Sequence, residues 1–247
     1  MALQSAIVGT ALGAALLTSF AAHADERLVL TSRPSVTEAV EFIPAATPRA
    51  NVVLLIGGNG NLAQVRNNFL LRVRGDLARQ GLNIAVPDAP SDHDSLNPNF
   101  RAGPEHARDI DAVVAFLKTK ADLPVWLVGT SNGSISAANG AVRLGPSRIA
   151  GAVLTSSVWS GGMSGVPIGQ IAVPVLVVHN RDDGCPAAPF AGAQLAMTQL
   201  ANAPAKEFVA MSGGISKSPP CEARAPHGYF GIEDQVVPVL VKWILAH

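Results

Sequence analysis

The sequence predicts an α/β fold: a mostly parallel central sheet with helices on both faces. Two observations carry the prediction. Apolar runs of strand length recur at residues 51–56, 82–86, 125–128 and 173–178, and near-continuous apolar strands mark a sheet covered on both sides. Between them lie segments with helical spacing, the clearest at residues 105–120, where Ile110, Val113, Val114 and Leu117 share one face. Strands alternating with helices in this way imply parallel pairing.

Composition sets the outer bounds. A chain of 247 residues, 48% apolar and 15% charged, can bury one large core, which excludes disorder and makes a single domain the simplest expectation. The formal net charge is zero and no basic block occurs, so nucleic acid is not expected as a partner. No internal repeat or low-complexity tract occurs. Residues 6–22 are apolar or small and uncharged, and Ala22-His23-Ala24 is a small-x-small site before Asp25. This pattern predicts a signal peptide over residues 1–24, cleaved after Ala24, although no Lys or Arg precedes the apolar run. The run is short and dilute in Leu and Ile, whereas a spanning helix needs about 20 strongly apolar residues. No stable membrane anchor is therefore expected after cleavage, and residues 25–247 are expected to form the domain.

In order, residues 27–30 and 38–43 read as short edge strands with a turn over 44–49. The strand at 51–56 breaks into Gly57-Gly58-Asn59-Gly60-Asn61, and a helix over 69–80 stops at Gly81. The strand at 82–86 opens into a polar loop over 88–104, ahead of the 105–120 helix. A strand from Val125 runs into a helix over 134–144, ended by Gly145-Pro146. Strands at 151–154, 173–178 and 206–210 and helices at 190–201 and 232–245 complete the pattern. The segment 157–173 is too short to fold a lid domain, so an open cleft is expected.

The chemistry centres on Gly129-Thr130-Ser131-Asn132-Gly133, set between strand and helix. A strand reversing directly into a helix forces its apex into an unfavourable backbone conformation, and the flanking positions must be nearly free of side chain. That geometry exposes the Ser131 hydroxyl at the carboxyl edge of the sheet and aims the Asn132 N–H at whatever the hydroxyl attacks. An ordinary Gly-Ser loop is the bland alternative, and the strand before and helix after argue against it. Two further strand ends carry suitable groups: His179-Asn180-Arg181-Asp182-Asp183-Gly184, and Ala225-Pro226-His227-Gly228-Tyr229. An aspartate after a strand is commonly a turn former and a histidine beside glycine a plain loop residue. The order Ser, Asp, His, each at its own strand end, favours catalysis.

On these residues the chain resembles the α/β-hydrolase superfamily over essentially its whole mature length, in particular small exported bacterial members without a lid. The resemblance makes residues 129–133 the nucleophile elbow, residues 179–183 the acid loop and His227-Gly228 the base loop. It selects Asp183 as the acid, with Asp182 in reserve, since Asn180 stands where the family commonly has Gly. It implies Ser131 as nucleophile, His227 as general base and Asp183 as its orienting acid, with no cofactor. The oxyanion donors would be Asn132 N–H and one N–H from the Gly57–Asn61 turn, Asn59 favoured and Gly58 next. That turn lacks the Gly-Lys-Ser/Thr ending of a phosphate loop.

Three features remain. Asp92-His93-Asp94 is expected to be a solvated loop near the cleft mouth and not a metal site, because three consecutive residues cannot all face one ion. Trp159 and Met163 are candidates for the pocket wall or for plain core. Cys185 and Cys221, in an exported chain, are expected to form a disulfide joining acid loop to base loop. The function this implies is hydrolysis of a carboxylic ester on a small-molecule acyl substrate, in the periplasm or outside the cell. A peptidase, amidase or acyltransferase would use the same residues, and a binding module on this fold would use none of them.

Overall fold

The computed structural model of the protein describes residues 25–159 and 162–247; the expected signal peptide, residues 1–24, lies outside them. Eight strands form one sheet: β1 (Glu26–Arg33), β2 (Val36–Ile43), β3 (Ala50–Leu55), β4 (Leu82–Pro87), β5 (Val125–Thr130), β6 (Gly151–Thr155), β7 (Val175–Asn180) and β8 (Lys206–Met211). Their spatial order is β1-β2-β4-β3-β5-β6-β7-β8. β1 and β2 pair antiparallel, as do β2 and β4, and every other neighbouring pair is parallel. The chain adds β4 on one side of β3 and β5 on the other, so the crevice where the order reverses opens at the carboxyl ends of β3 and β5.

Alternation along each buried strand separates two apolar layers, as a pleat of period two requires. Val53, Leu55, Leu127 and Val177 face one layer, closed by α3 (Pro104–Lys120), α4 (Gly133–Leu144) and α5 (Phe190–Gln199). Val52, Leu54, Val128 and Val178 face the other, closed by α1 (Phe69–Arg79) and α6 (Glu233–Ala246). Local signals place the helix ends. The Asn68 side chain caps α1 by accepting from Leu70 N–H at 3.1 Å. Pro104 opens α3 in the first turn, where its missing N–H costs nothing.

Three expectations are corrected. The segment read as a second edge strand is interior: β2 bonds to β1 on one side and β4 on the other. The seventh strand starts at Val175 and includes His179 and Asn180, both fully buried, which the sequence reading placed in a loop. Their polar side chains are tolerated there because each is hydrogen-bonded. The polar loop after β4 contains a short helix, α2 (Pro98–Arg101), capped by the Asn97 side chain, and its Arg101 is only 1% exposed. Between Ser157 and Val173 the described residues carry two short 3₁₀ turns, Gly162–Gly165 and Ile168–Gln170, and no lid domain. No helix among the described residues is long and apolar enough to cross a membrane.

Candidate active site

Ser131 stands at the turn between β5 and α4 with φ +53°, a left-handed conformation that a side-chain-bearing residue rarely adopts. Main-chain crowding enforces it. A Cβ on Gly133 would overlap the Leu55 carbonyl at the end of β3, and one on Gly129 would overlap the Gly133 carbonyl. The glycines thus let the elbow sit directly on its neighbouring strand. The Ser131 N–H is tied to Thr155 O at 3.0 Å, and Ser134 Oγ donates back to Ser131 O at 2.6 Å.

His227 lies in a 3₁₀ turn, Pro226–Gly228, after β8. Its Nε2 is 3.0 Å from Ser131 Oγ and its Nδ1 is 2.8 Å from Asp183 Oδ2. The Asp183 carboxylate is fully buried, and its Oδ1 accepts from Cys185 N–H at 2.9 Å. The structure therefore brings Ser131, His227 and Asp183 into one hydrogen-bonded line. Asp182, one residue earlier, is exposed and accepts instead from Gly213 N–H. His179 Nε2 is 3.5 Å from Asp183 but donates to Ala188 O at 2.9 Å. A carbonyl can only accept, so that nitrogen carries the proton, and burial pushes the His179 pKa down, keeping the ring neutral.

The base loop is held from several distant places that no sequence motif announced. Ser156 Oγ donates to the His227 carbonyl at 2.6 Å, and the Tyr229 hydroxyl bridges Ser156 N–H and Val178 O. Asn180 Nδ2 donates to Gly213 O and Pro226 O, while its Oδ1 accepts from Asp182 N–H. Asn180, a departure from the resembled pattern, thus joins the loops that carry Asp183 and His227. Arg72 on α1 donates to Ala223 O at 3.0 Å and Gly228 O at 2.6 Å, on either side of His227. Its counter-charge is Glu233, 2.7 Å away. Cys185 and Cys221 form the expected disulfide; Cys185 is buried and Cys221 is exposed beside the cleft.

A cleft of about 170 Å³ opens beside Ser131, lined by Gly58, Gln64, Asn67, Asn68, Glu222 and His227 among others. Gly58 adopts φ +60° at its edge, and a Cβ there would press on Val65. Asn59 is engaged elsewhere: its carbonyl accepts from Leu96 N–H at 2.7 Å and its side chain meets Gln64 and Asn61. The N–H groups of Gly58, Asn59 and Asn132 all lack an acceptor among the described residues. Asp92 forms a two-pronged pair with Arg33, which holds its pKa down at about 2, and His93 stacks on Phe100 at 3.7 Å. Met163 is buried in the α3–α4 layer and Trp159 packs half-buried against the same layer.

This architecture is the α/β-hydrolase fold, with Ser131 on the tight strand-to-helix turn at the end of β5. By sequence, neither a family profile nor a curated protein matches the chain. Solved structures match it in three dimensions. A serine hydrolase homologue from Coxiella burnetii is 19% identical with a TM-score of 0.63, the match covering 88% of this chain and 96% of that one. An esterase of Pyrococcus furiosus is 15% identical with a TM-score of 0.64, over 95% and 98% of the two chains. A dienelactone hydrolase from Anabaena variabilis is 14% identical with a TM-score of 0.65, over 91% and 98%. At such identities the likeness establishes the fold.

Proposed function

We propose that the protein is a serine hydrolase that cleaves a carboxylic ester of a small-molecule substrate through an acyl-enzyme. The observation that carries this reading is the unbroken line from Ser131 Oγ through the His227 ring to the buried Asp183 carboxylate, at 3.0 and 2.8 Å. A serine hydroxyl becomes a competent nucleophile when an adjacent base removes its proton, and a neutral imidazole is suited to that near neutral pH. In this reading Ser131 Oγ attacks the acyl carbon while its proton passes to His227 Nε2. Asp183 holds the ring by Nδ1 and stabilises the imidazolium. His227 then gives the proton to the departing alkoxide, and a water repeats the sequence to release the acid.

The tetrahedral intermediate carries negative charge on the former carbonyl oxygen. Asn132 N–H and one N–H of the Gly57–Asn61 turn are the proposed donors to it. Asn59 is favoured, with Gly58 next, because its N–H shares a planar peptide with the Gly58 carbonyl that Asn132 Nδ2 and Arg101 hold beside the cleft. Each such donor typically contributes about 3 kcal/mol of transition-state stabilisation. We place the mature protein, residues 25–247, in the periplasm or outside the cell, because the Cys185–Cys221 disulfide fits an oxidising compartment.

The test is a fluorophosphonate probe together with a panel of esters and amides of graded acyl length. The probe is expected at Ser131, with labelling and turnover both abolished in Ser131→Ala. Labelling that persists in this variant would move the nucleophile elsewhere. Amides turned over faster than matched esters would reassign the reaction.

A further inference from the structure

Arg101 at the end of α2 is fully buried, and no carboxylate pairs with it among the described residues. Its guanidinium donates instead to neutral acceptors: Leu96 O at 3.2 Å, Ser136 Oγ at 2.9 Å and Gly58 O at 3.3 Å. A cation taken out of water without a counter-charge is costly to fold, and burial pushes the Arg101 pKa down to about 9, which still leaves it charged at neutral pH. The acceptors show what that cost accompanies. The Gly58 carbonyl also receives the Asn132 side chain, Nδ2 to O at 3.1 Å. One oxygen is thus gripped by two donors, one rising from the buried side of the turn and one from the elbow.

The preceding peptide is held as well, since Gly57 O accepts from Gly60 N–H at 3.3 Å. Gly58 is a glycine at φ +60°, the residue type and region in which the backbone is least constrained by its own sterics. Its orientation is therefore set by these external bonds. We propose that Arg101 is a positioning residue for the oxyanion turn: with the Asn132 side chain it holds the Gly58 carbonyl, and because a peptide is planar and trans this fixes the direction of the Asn59 N–H, the donor of the same peptide group, towards the substrate oxygen. This rests on the serine-hydrolase reading of Ser131 and on Asn59 N–H as a donor. Its second effect follows from charge. An unneutralised cation one hydrogen bond from the turn favours the intermediate, which is anionic, over the ester, which is not, and does so most in a water-poor interior.

The position is inaccessible to substrate because Ser136 and Leu96 enclose the guanidinium, so Arg101 acts only through the turn. His106 completes the enclosure. Its Nε2 is 2.8 Å from Ser136 Oγ. With Arg101 donating to that hydroxyl, the Ser136 proton is left to point at His106, which accepts as a neutral ring. Burial, with the Arg101 charge in second place, pushes the His106 pKa down to about 3, in agreement with that assignment.

The experiment compares wild type with Arg101→Met, Arg101→Lys and Asn132→Ala, counting active sites by fluorophosphonate titration so that kcat is expressed per competent enzyme. A boronic acid, which accepts the Ser131 oxygen to form a tetrahedral anion, reports the oxyanion site directly. Arg101→Met should lower kcat by about 10- to 100-fold with KM changed by less than about threefold, and weaken boronate affinity in proportion. Arg101→Lys should recover part of the loss. Asn132→Ala should lower kcat by about 3- to 10-fold, and the double variant should lose less than the product of the singles, because both act on one carbonyl.

A purely structural role for Arg101 predicts fewer titratable sites with unchanged kcat per site and unchanged boronate affinity, and that result overturns the proposal. If Arg101→Met does not fold, Asn132→Ala and Arg101→Lys decide: both within about twofold of wild type in kcat and boronate affinity overturns it as well. A wild-type protein that is neither labelled nor active on any ester overturns the reading of the site itself, which is a distinguishable outcome.

Discussion

Ser131 stands on a turn whose shape is dictated by main chain meeting main chain, whereas His227 stands on a loop held largely by side chains from distant parts of the sequence. On the nucleophile side, Gly133 touches the Leu55 carbonyl and Gly129 touches Gly133, so nothing larger than hydrogen fits and the conformation is over-determined locally. On the base side, the loop between β8 and α6 is stitched by Ser156, Asn180, Tyr229 and Arg72 and by the Cys185–Cys221 bridge. Each half is therefore vulnerable in its own way. Damage to the elbow is steric and local, while damage to the base loop is distributed and graded, because each tie carries only part of the alignment.

The largest effect that sharpens this contrast concerns the acid. Asp183→Asn keeps the volume but removes the carboxylate that holds His227 Nδ1. On the proposed serine-hydrolase reading, such a change should lower kcat by about 10⁴-fold, through the wrong ring tautomer. Asp182→Asn, on the exposed turn beside it, should cost less than about tenfold, since it only anchors Gly213 N–H. Steady-state kinetics on the two variants read this directly, and the reverse ranking would transfer the acid role to Asp182.

The same contrast explains what was legible in the sequence. The elbow is a local code: Gly-x-Ser-x-Gly between an apolar strand and a helical run states its own sterics within five residues. The strand ends that carry Asp183 and His227 were legible for a similar reason, since buried parallel strands are apolar and their ends are where polar residues begin. The ties were not legible, because Arg72, Ser156 and Tyr229 are ordinary residue types whose partners lie 156, 71 and 51 positions away. The β7 end was misread because His179 and Asn180 look like loop residues and are buried by hydrogen bonding, not by being apolar. Arg101 sits in a stretch with the composition of a polar loop, and its burial under the Gly57–Asn61 turn depends on a partner 43 positions away.

Arg72 offers the next test of the distributed half. Its fork spans the carbonyls of Ala223 and Gly228 and pairs with Glu233. Arg72→Met should loosen the loop without touching a reacting atom. Small misplacements of catalytic groups cost up to about 10²-fold in rate, so kcat should fall by about 10- to 100-fold with KM little changed. Arg72→Lys should restore only part, because an ammonium cannot reach both carbonyls in the plane of a guanidinium. Variant rates equal to wild type would show that the other ties suffice.

The bridge should matter less to rate and more to stability. It closes a separation of 36 residues, for which the chain-entropy model gives about 3–4 kcal/mol. Reduced protein should melt lower and lose activity in part, since Asn180 and Asp183 still hold His227 from the acid side. Cys185→Ser and Cys221→Ser should behave alike. Two titratable thiols in protein isolated under oxidising conditions would remove the bridge from this account.

The smallest expected effect is a pH dependence of stability arising beneath the nucleophile side. His106 is buried in α3 and its Nε2 accepts from Ser136, so folding holds it neutral with a pKa of about 3, against about 6.5 for an unfolded histidine. Between those values the unfolded chain binds the proton and the folded one does not. The stability contributed by keeping the ring neutral is therefore complete above about pH 6.5 and is lost as pH falls towards 3, at no more than about 1.4 kcal/mol per pH unit. Glu38, across the same small cavity, has the opposite sign: burial raises its pKa well above 4.5, so it stabilises the fold at acid pH and that contribution is lost as pH rises through its folded value. Comparing wild type with His106→Gln cancels the Glu38 contribution, which both share. Moving from pH 7.5 to pH 5 should cost wild type about 2 kcal/mol more than it costs the variant, read as a difference in urea midpoints. Parallel midpoints for the two proteins across that range would show that His106 takes up its proton without unfolding the chain.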